Sequence, residues 1–306
     1  MSNRRVAPPL QTAMAPAAAG PQRAQTPDDV AAAAQLACLL EASAEKPGNV
    51  TPTRGFADMT FEDFVRSAVA IGPPMARAGE RVVGQSILAA VIATQRWTQA
   101  NTNLGIILLF APLARAALTR PAGSDLRSAL SVVLADLTVE DARAAYTAIR
   151  LANPGGFDEE VEHDVRSPPL VTLREAMCSA AERDSIAAEY TSDFTITFER
   201  GLPALSAALA KTDVLSAAIV QTYLQLLATV PDTLIARKQG WQAAEDVSRA
   251  AAQVVSLGGV FGEQGRRAIS ELDEELRREG NSLNPGTTAD LVAATLFVAL
   301  LEGMIE

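Results

Sequence analysis

Histidine is almost missing from this sequence: His163 is the single imidazole in 306 residues. That leaves no basis for a histidine-driven triad or a multi-histidine metal site within one chain. His163 lies in the acidic stretch Asp158–Asp164, where a solvent-facing loop residue is expected. Cysteine is nearly as scarce. Cys38 and Cys178 both sit in apolar, helix-like surroundings, which excludes a disulfide or zinc framework and predicts two buried free thiols. Free thiols agree with a cytoplasmic location.

Aromatic residues make up only 5% of the chain, although hydrophobic residues reach 48%. The apolar content is therefore mostly Ala, Leu and Val, which favours closely packed helices over sheets. Basic charge is in deficit: the net charge is −10, and a nucleic-acid partner would need a basic face. Long apolar runs are absent too. The best candidate, Leu104–Leu118, is interrupted by Pro112 and Arg115 and is too short to span a membrane. Near the N-terminus, Pro8, Pro9 and Pro16 break any segment of signal-peptide length, so residues 1–26 read as a disordered Ala/Pro-rich tail. Strand signals are reduced to the alternation Phe194–Phe198. A lone strand would have no partner, so that segment is expected to be helical or irregular.

What is present is a succession of capped, periodic segments. Thr26-Pro27-Asp28-Asp29 opens a helix, and Thr60 with Asp63 resembles a capping box. A helix from Thr60 through Ile71 is expected to end at Gly72-Pro73-Pro74. Further helices are expected over 80–98, 104–118, 123–135, 138–152, 171–190, 202–210, 212–229, 240–255, 262–279 and 286–304. The chain is thus expected to be all-α, a single domain over residues 27–306 with roughly ten to twelve helices. A looser acidic loop is expected at 153–169.

The stretch most suggestive of a site runs Asn101-Thr102-Asn103-Leu104-Gly105. Short polar residues precede an apolar run, so a buried helix begins near Asn103, with Gly105 permitting close approach. Free amides at such a start suit an anion. Lys46 stands in Glu45-Lys46-Pro47-Gly48-Asn49-Val50, a stiff loop in which Gly48 amides and a compact cation would suit a phosphate. Asp290 opens another apolar helix, where a carboxylate beside a buried run needs partners or a metal. Mg²⁺ takes one or two carboxylates together with substrate phosphates, and Asp290 and Asp232 are the candidates here. Asn49, Asn101, Asn103 and Asn284 have side chains able to bind sugar hydroxyls or phosphates, and equally able to serve as caps or turns.

These blocks, in their order, resemble the triphosphoribosyl-dephospho-CoA synthase family, in the form seen in methanogens and methylotrophs. The family's Asn-Thr-His-Lys-Gly motif is similar to Asn101–Gly105, without the histidine and lysine. Its Lys-Pro-Gly loop is similar to Lys46–Gly48, and its Asp-Met pair to Asp58-Met59. Arg183-Asp184 resembles an Ala-Ala-Xaa-Arg-Asp block. Asp232-Thr233, followed by Arg237-Lys238, resembles an Asp-Thr-Asn block with a basic residue after it. Asn284-Pro285-Gly286-Thr287-Thr288-Ala289-Asp290 resembles a Ser-Pro-Gly-Gly-Ser-Ala-Asp block.

The resemblance implies a transferase of cofactor biosynthesis. It would move a phosphorylated ribosyl group from ATP or phosphoribosyl pyrophosphate onto a hydroxyl of 3′-dephospho-CoA or of a methanopterin-type pterin–ribitol. Asp184, Asp232 and Asp290 are the carboxylates expected to stabilise oxocarbenium-like charge and take the acceptor's proton. Lys46, Asp58, Arg183, Arg237, Lys238 and the polar residues of the blocks are expected to hold the substrates, with Mg²⁺ as cofactor. No nucleic-acid or membrane partner is expected, and homodimerisation is allowed for. The contrasting reading, prompted by the missing histidine and lysine, is a non-catalytic helical nucleotide-binding protein.

Overall fold

The computed structural model describes residues 25–153 and 163–305. The tail expected over 1–26 and much of the loop expected at 153–169 therefore lie outside the described residues. Gln25 and Thr26 are exceptions: the Gln25 amide donates to Leu301 O at 2.9 Å, and Thr26 caps the first helix.

Among the described residues there are fourteen α-helices and no strand. In order they are α1 (Pro27–Ser43), α2 (Phe61–Ala76), α3 (Val83–Gln95), α4 (Leu104–Thr119), α5 (Leu126–Ala135), α6 (Val139–Ala152) and α7 (Leu173–Ala180). Then come α8 (Ser185–Thr191), α9 (Leu202–Leu209), α10 (Leu215–Thr229), α11 (Thr233–Gln239), α12 (Trp241–Ser256), α13 (Glu263–Leu276) and α14 (Gly286–Leu301). The number slightly exceeds the expectation for two reasons. The segment 171–190 is split, because the Asp184 side chain accepts the Ile186 and Ala187 amides and starts a new helix. And α11, which carries no long apolar period, had not been expected at all.

The centre of the fold is the pair α4 and α14. Both are apolar nearly all round and buried on almost every face. They touch through Phe110 and Phe297, whose rings stack at 4.3 Å. α1 packs on α2 and α14, α3 on α6, and α10 on α9 and α12, so the remaining helices form a jacket around the pair.

The proline break expected at Gly72-Pro73-Pro74 does not occur, and the helix expected through Pro112 does form. α2 runs through Pro73 and Pro74 to Ala76. The carbonyl that Pro73 cannot bond is Val69 O, and the Gln35 side chain of α1 donates to it at 3.0 Å. α4 likewise contains Pro112. The freed carbonyl there is Leu108 O, which accepts the buried Tyr190 hydroxyl at 2.6 Å. In both cases a neighbouring helix supplies the donor that the imino acid lacks. The aromatic stretch 194–198 is not a strand: it feeds a π-helical turn over Ile196–Gly201. Cys38 is buried, as expected, but Cys178 is exposed on the outer side of the short α7.

Candidate active site

Four helix beginnings meet around Asp290. Three of them are stitched together by short side chains. Thr233 at the start of α11 accepts the Ser185 amide of α8 at 3.2 Å and donates to the Thr287 hydroxyl of α14 at 3.3 Å. Asp232 ties α11 to α14 twice: Oδ1 accepts the amides of Leu234 and Ile235 at 2.9 and 3.1 Å, and Oδ2 accepts the Thr288 amide and hydroxyl at 2.7 and 2.8 Å. The fourth is α4. A Cβ placed on Gly105 would lie 2.1 Å from Asp290 Oδ2, so only glycine lets this carboxylate rest against the first turn of α4.

Asp290 itself accepts no hydrogen bond from the described residues. Burial pushes its carboxyl well above the usual range, and Glu41, Asp232 and Asp184 push it further, while Arg237 opposes them. Asp184 pairs with Arg237 at 3.3 Å through its second oxygen. Asp232 is also raised, by burial first, but the Thr288, Ile235 and Leu234 donors counteract that.

The Lys-Pro-Gly loop closes a second side. Gly48 has φ +75°, and its amide donates to Asp273 Oδ1 at 2.7 Å. Asn49 donates to the Tyr223 hydroxyl at 2.8 Å, and that hydroxyl donates to Pro47 O at 2.8 Å. Arg277 of the segment after α13 bonds Asp273 at 2.7 Å and Asn49 O, holding the loop on α13.

Lys46 corrects the expectation placed on it. It is 1% exposed, with Nζ 3.0 Å from Glu41 Oε1 and further bonds to Glu41 O and to Ala44 O at 3.1 Å. The ammonium is spent on the C-terminal end of α1 and a buried carboxylate, so it is not a loop cation open to phosphate. Asp232 is corrected in the same way. All four of its acceptor directions are taken, so it has no oxygen to offer a metal or a proton. Arg183 is exposed in the turn between α7 and α8, with its guanidinium folded back on Ser179 O at 2.8 Å rather than in the cluster. Among the described residues no group of three or more His, Cys, Asp or Glu is arranged to hold a metal.

Lys238 and Asp58 share a rim: Lys238 Nζ donates to Asn281 O at 3.0 Å, and the Asn281 amide donates to Asp58 at 3.1 Å. Burial, then Arg237, lowers the Lys238 pKa. Asn284 Oδ1 is buried beside Gly286 with no hydrogen-bond partner. Thr102 meets Ser67 of α2. Asn101 and Asn103 open instead on a separate cavity of about 270 Å³ between the ends of α3 and α6 and the start of α4. A wider hollow of about 530 Å³ beside Arg200 and Thr229 is lined by none of these residues.

The sequence reading missed Glu41, Tyr223, Asp273 and Arg277. Glu41 had a signal: it is the one charge between Asp29 and Glu45, in the last turn of α1, where the helix dipole disfavours an anion. Tyr223, Asp273 and Arg277 sit in ordinary amphipathic helix sequence and gave none.

Comparison with known proteins places the chain in a family. The profile of the ATP:dephospho-CoA triphosphoribosyl transferase family matches residues 27–306. A protein of Pseudomonas savastanoi pv. phaseolicola provisionally named 2-(5''-triphosphoribosyl)-3'-dephosphocoenzyme-A synthase is 37% identical over 79 residues, 26% of each chain. The Klebsiella pneumoniae protein named 2-(5''-triphosphoribosyl)-3'-dephosphocoenzyme-A synthase is 30% identical over 111 residues, 36% of each chain. These alignments thus span between a quarter and about a third of the curated relatives' length. A crystal structure from Archaeoglobus fulgidus, provisionally named triphosphoribosyl-dephospho-CoA synthase, superposes with a TM-score of 0.60 at 29% identity, covering 78% of this chain and 98% of that one. With its family profile matched from the first helix to the last, this chain belongs to the ATP:dephospho-CoA triphosphoribosyl transferase family.

Proposed function

We propose that the chain transfers the triphosphoribosyl group of ATP onto a sugar hydroxyl of 3′-dephospho-CoA. The bond from the ribose anomeric carbon to adenine breaks, a bond to the acceptor oxygen forms, and the proton of that hydroxyl is carried off with the departing adenine. The observation that carries this reading is the meeting of four helix starts at Asp290. Most first-turn amides here are held by Asp184, Asp232, Thr233 and Asn101, so what the converging helix starts offer a polyphosphate is the partial positive charge of their dipoles. A carboxylate among them with a raised pKa is suited to take the acceptor's proton and to face positive charge developing on the ribose.

In this reading Asp290 is the catalytic group, and Asp184 with Arg237 lies at the edge of the phosphate site. Thr233, Gly286, Thr287 and Thr288 shape that site. Lys238, Asp58 and Asn284 line the outer rim. Asp232, Gly48, Asn49 and Lys46 are positioning residues. Asp290 fits Mg²⁺ as a lone carboxylate ligand alongside substrate phosphates, and the metal would there neutralise phosphate charge. Asp232 does not fit such a role. The absence of ionisable side chains at Asn103 and Leu104 keeps a pterin–ribitol acceptor, or phosphoribosyl pyrophosphate as donor, worth offering in the same assay.

The test is product formation followed by mass spectrometry, with each donor and acceptor offered separately, with and without EDTA. Asp290→Asn is expected to lose about a hundredfold or more in turnover, the usual scale for a positioned proton-transfer or electrostatic group. His163→Ala is expected to be silent. Full activity of Asp290→Asn, or no product from any pair, would overturn the reading.

A further inference from the structure

The cavity at the start of α4 is unlike the rest of the site in carrying no charge. Its volume is about 270 Å³, and none of its lining residues is acidic or basic. The polar part is made of carboxamides and hydroxyls, among them Thr94, Gln99, Asn101, Asn103 and Asn153. The apolar part is Val91, Leu104 and Leu151, from three different elements. A phosphate would find no cation here. A flat heteroaromatic ring would find apolar walls for its faces and amides for its edge.

Asn103 supplies the second observation. It is only 6% exposed, and its amide nitrogen donates to Thr94 Oγ1 at 3.2 Å. Its Oδ1 receives no hydrogen bond from the described residues. If the amide is turned over, the open end becomes a donor instead, so one half of this buried carboxamide remains unanswered in either orientation. Asn103 lines the cavity, so a ligand with complementary edges can bond this open end in place of solvent.

The place of the cavity in the chain adds a third. Leu104 lines the cavity, and the next residue, Gly105, touches Asp290. The cavity and the Asp290 carboxylate therefore both adjoin the first turn of α4.

We propose that this cavity is the subsite for the adenine of a nucleotide substrate, recognised through the Asn103 carboxamide. This deepens the transferase reading and rests on it for the sugar's position. Adenine offers an amino donor beside a ring-nitrogen acceptor, the pair that a single carboxamide matches in a bidentate contact. Both ATP and dephospho-CoA carry adenine, and the kinetic arms below separate them.

The experiment titrates the full chain calorimetrically with adenosine and, separately, with inorganic tripolyphosphate. The variants are Asn103→Leu, which removes the carboxamide, and Ala100→Phe, which fills the cavity from a half-buried position. Each is checked by thermal melting, and Ala100→Phe carries the test if Asn103→Leu does not fold. Every folded variant is expected to lose tenfold or more in adenosine affinity and to keep its tripolyphosphate affinity. A matching rise in KM for ATP alone assigns the base to the donor; a rise for dephospho-CoA alone assigns it to the acceptor. Failure of the wild-type chain to bind adenosine, adenosine affinity retained by a folded variant, or unchanged KM for both substrates overturns the proposal. Failure of the wild-type chain to bind tripolyphosphate would instead count against the phosphate site at Asp290 and leave the base subsite standing.

Discussion

Asp290 Oδ2 lies 2.1 Å from the point where a Cβ on Gly105 would begin. The two residues come from α14 and α4, which form the buried centre of the fold. The carboxylate is therefore held against a helix start by the absence of a side chain, not by a hydrogen bond. The catalytic geometry we propose depends on that gap.

Gly105→Ala should displace Asp290 with little effect on the rest of the core. An extra methyl in a packed position costs about 1–3 kcal/mol. Misplacing a reacting group by about 1 Å costs on the order of a hundredfold in rate. We expect Gly105→Ala to lose activity out of proportion to its change in melting temperature, as read by product assay and calorimetry. Near-normal turnover would show that Asp290 does not act from this position.

Asp232→Ala removes four accepted hydrogen bonds that join α11 to α14. Loss of a helix cap alone costs about 0.5–2 kcal/mol, and the buried Thr288 donors would also lose their partner. We expect a loss of roughly 3 kcal/mol in urea unfolding. A variant that stays as stable as the parent but inactive would return Asp232 to the chemistry.

Lys46→Met leaves Glu41 buried and unpaired. Breaking a buried ion pair from one side costs about 3–5 kcal/mol, whereas replacing both partners by apolar residues is often close to neutral. We expect Lys46→Met to be severely destabilised and Glu41→Leu/Lys46→Met to recover much of the loss. Equal stability of single and double variants in denaturant titrations would contradict the pairing. So would a phosphate-binding defect without any change in stability.

Glu189 gives a pH dependence. It is fully buried on α8, where it accepts the Thr197 amide at 3.2 Å, and its other oxygen has no partner. Burial raises its pKa from 4.5 to about 8, against the pull of the Ile196 and Thr197 bonds. Because the folded value is raised, the stability contributed by the protonated form is complete below about 4.5 and is lost as pH rises through about 8. Glu189→Gln should remove this loss, so the stability difference between variant and parent should shift in the variant's favour by several kcal/mol between pH 5 and pH 9. Parallel pH profiles for the two proteins would show that Glu189 does not titrate in this range.

Helical content followed from composition and caps, because these are local: Thr26 with Asp29 and Thr138 with Asp141 form capping boxes wherever the chain goes next. The family followed from the order of short blocks, since each block marks a helix start or a tight loop in the chain itself. Tertiary structure decided what those blocks do. Pro112 and Pro73 sit inside helices because Tyr190 and Gln35 arrive from elsewhere to bond the freed carbonyls. Lys46 reads from sequence as a loop cation and becomes a buried partner of Glu41, because the return of the loop onto α1 is a contact no local pattern encodes. Asp232 and Asp290 look equivalent in sequence, each a carboxylate in a short block next to threonines. They part company only when α4, α8, α11 and α14 converge: Leu234, Ile235 and Thr288 saturate the first, and Gly105 leaves room for the second to stand half-buried with no hydrogen bond from the described residues.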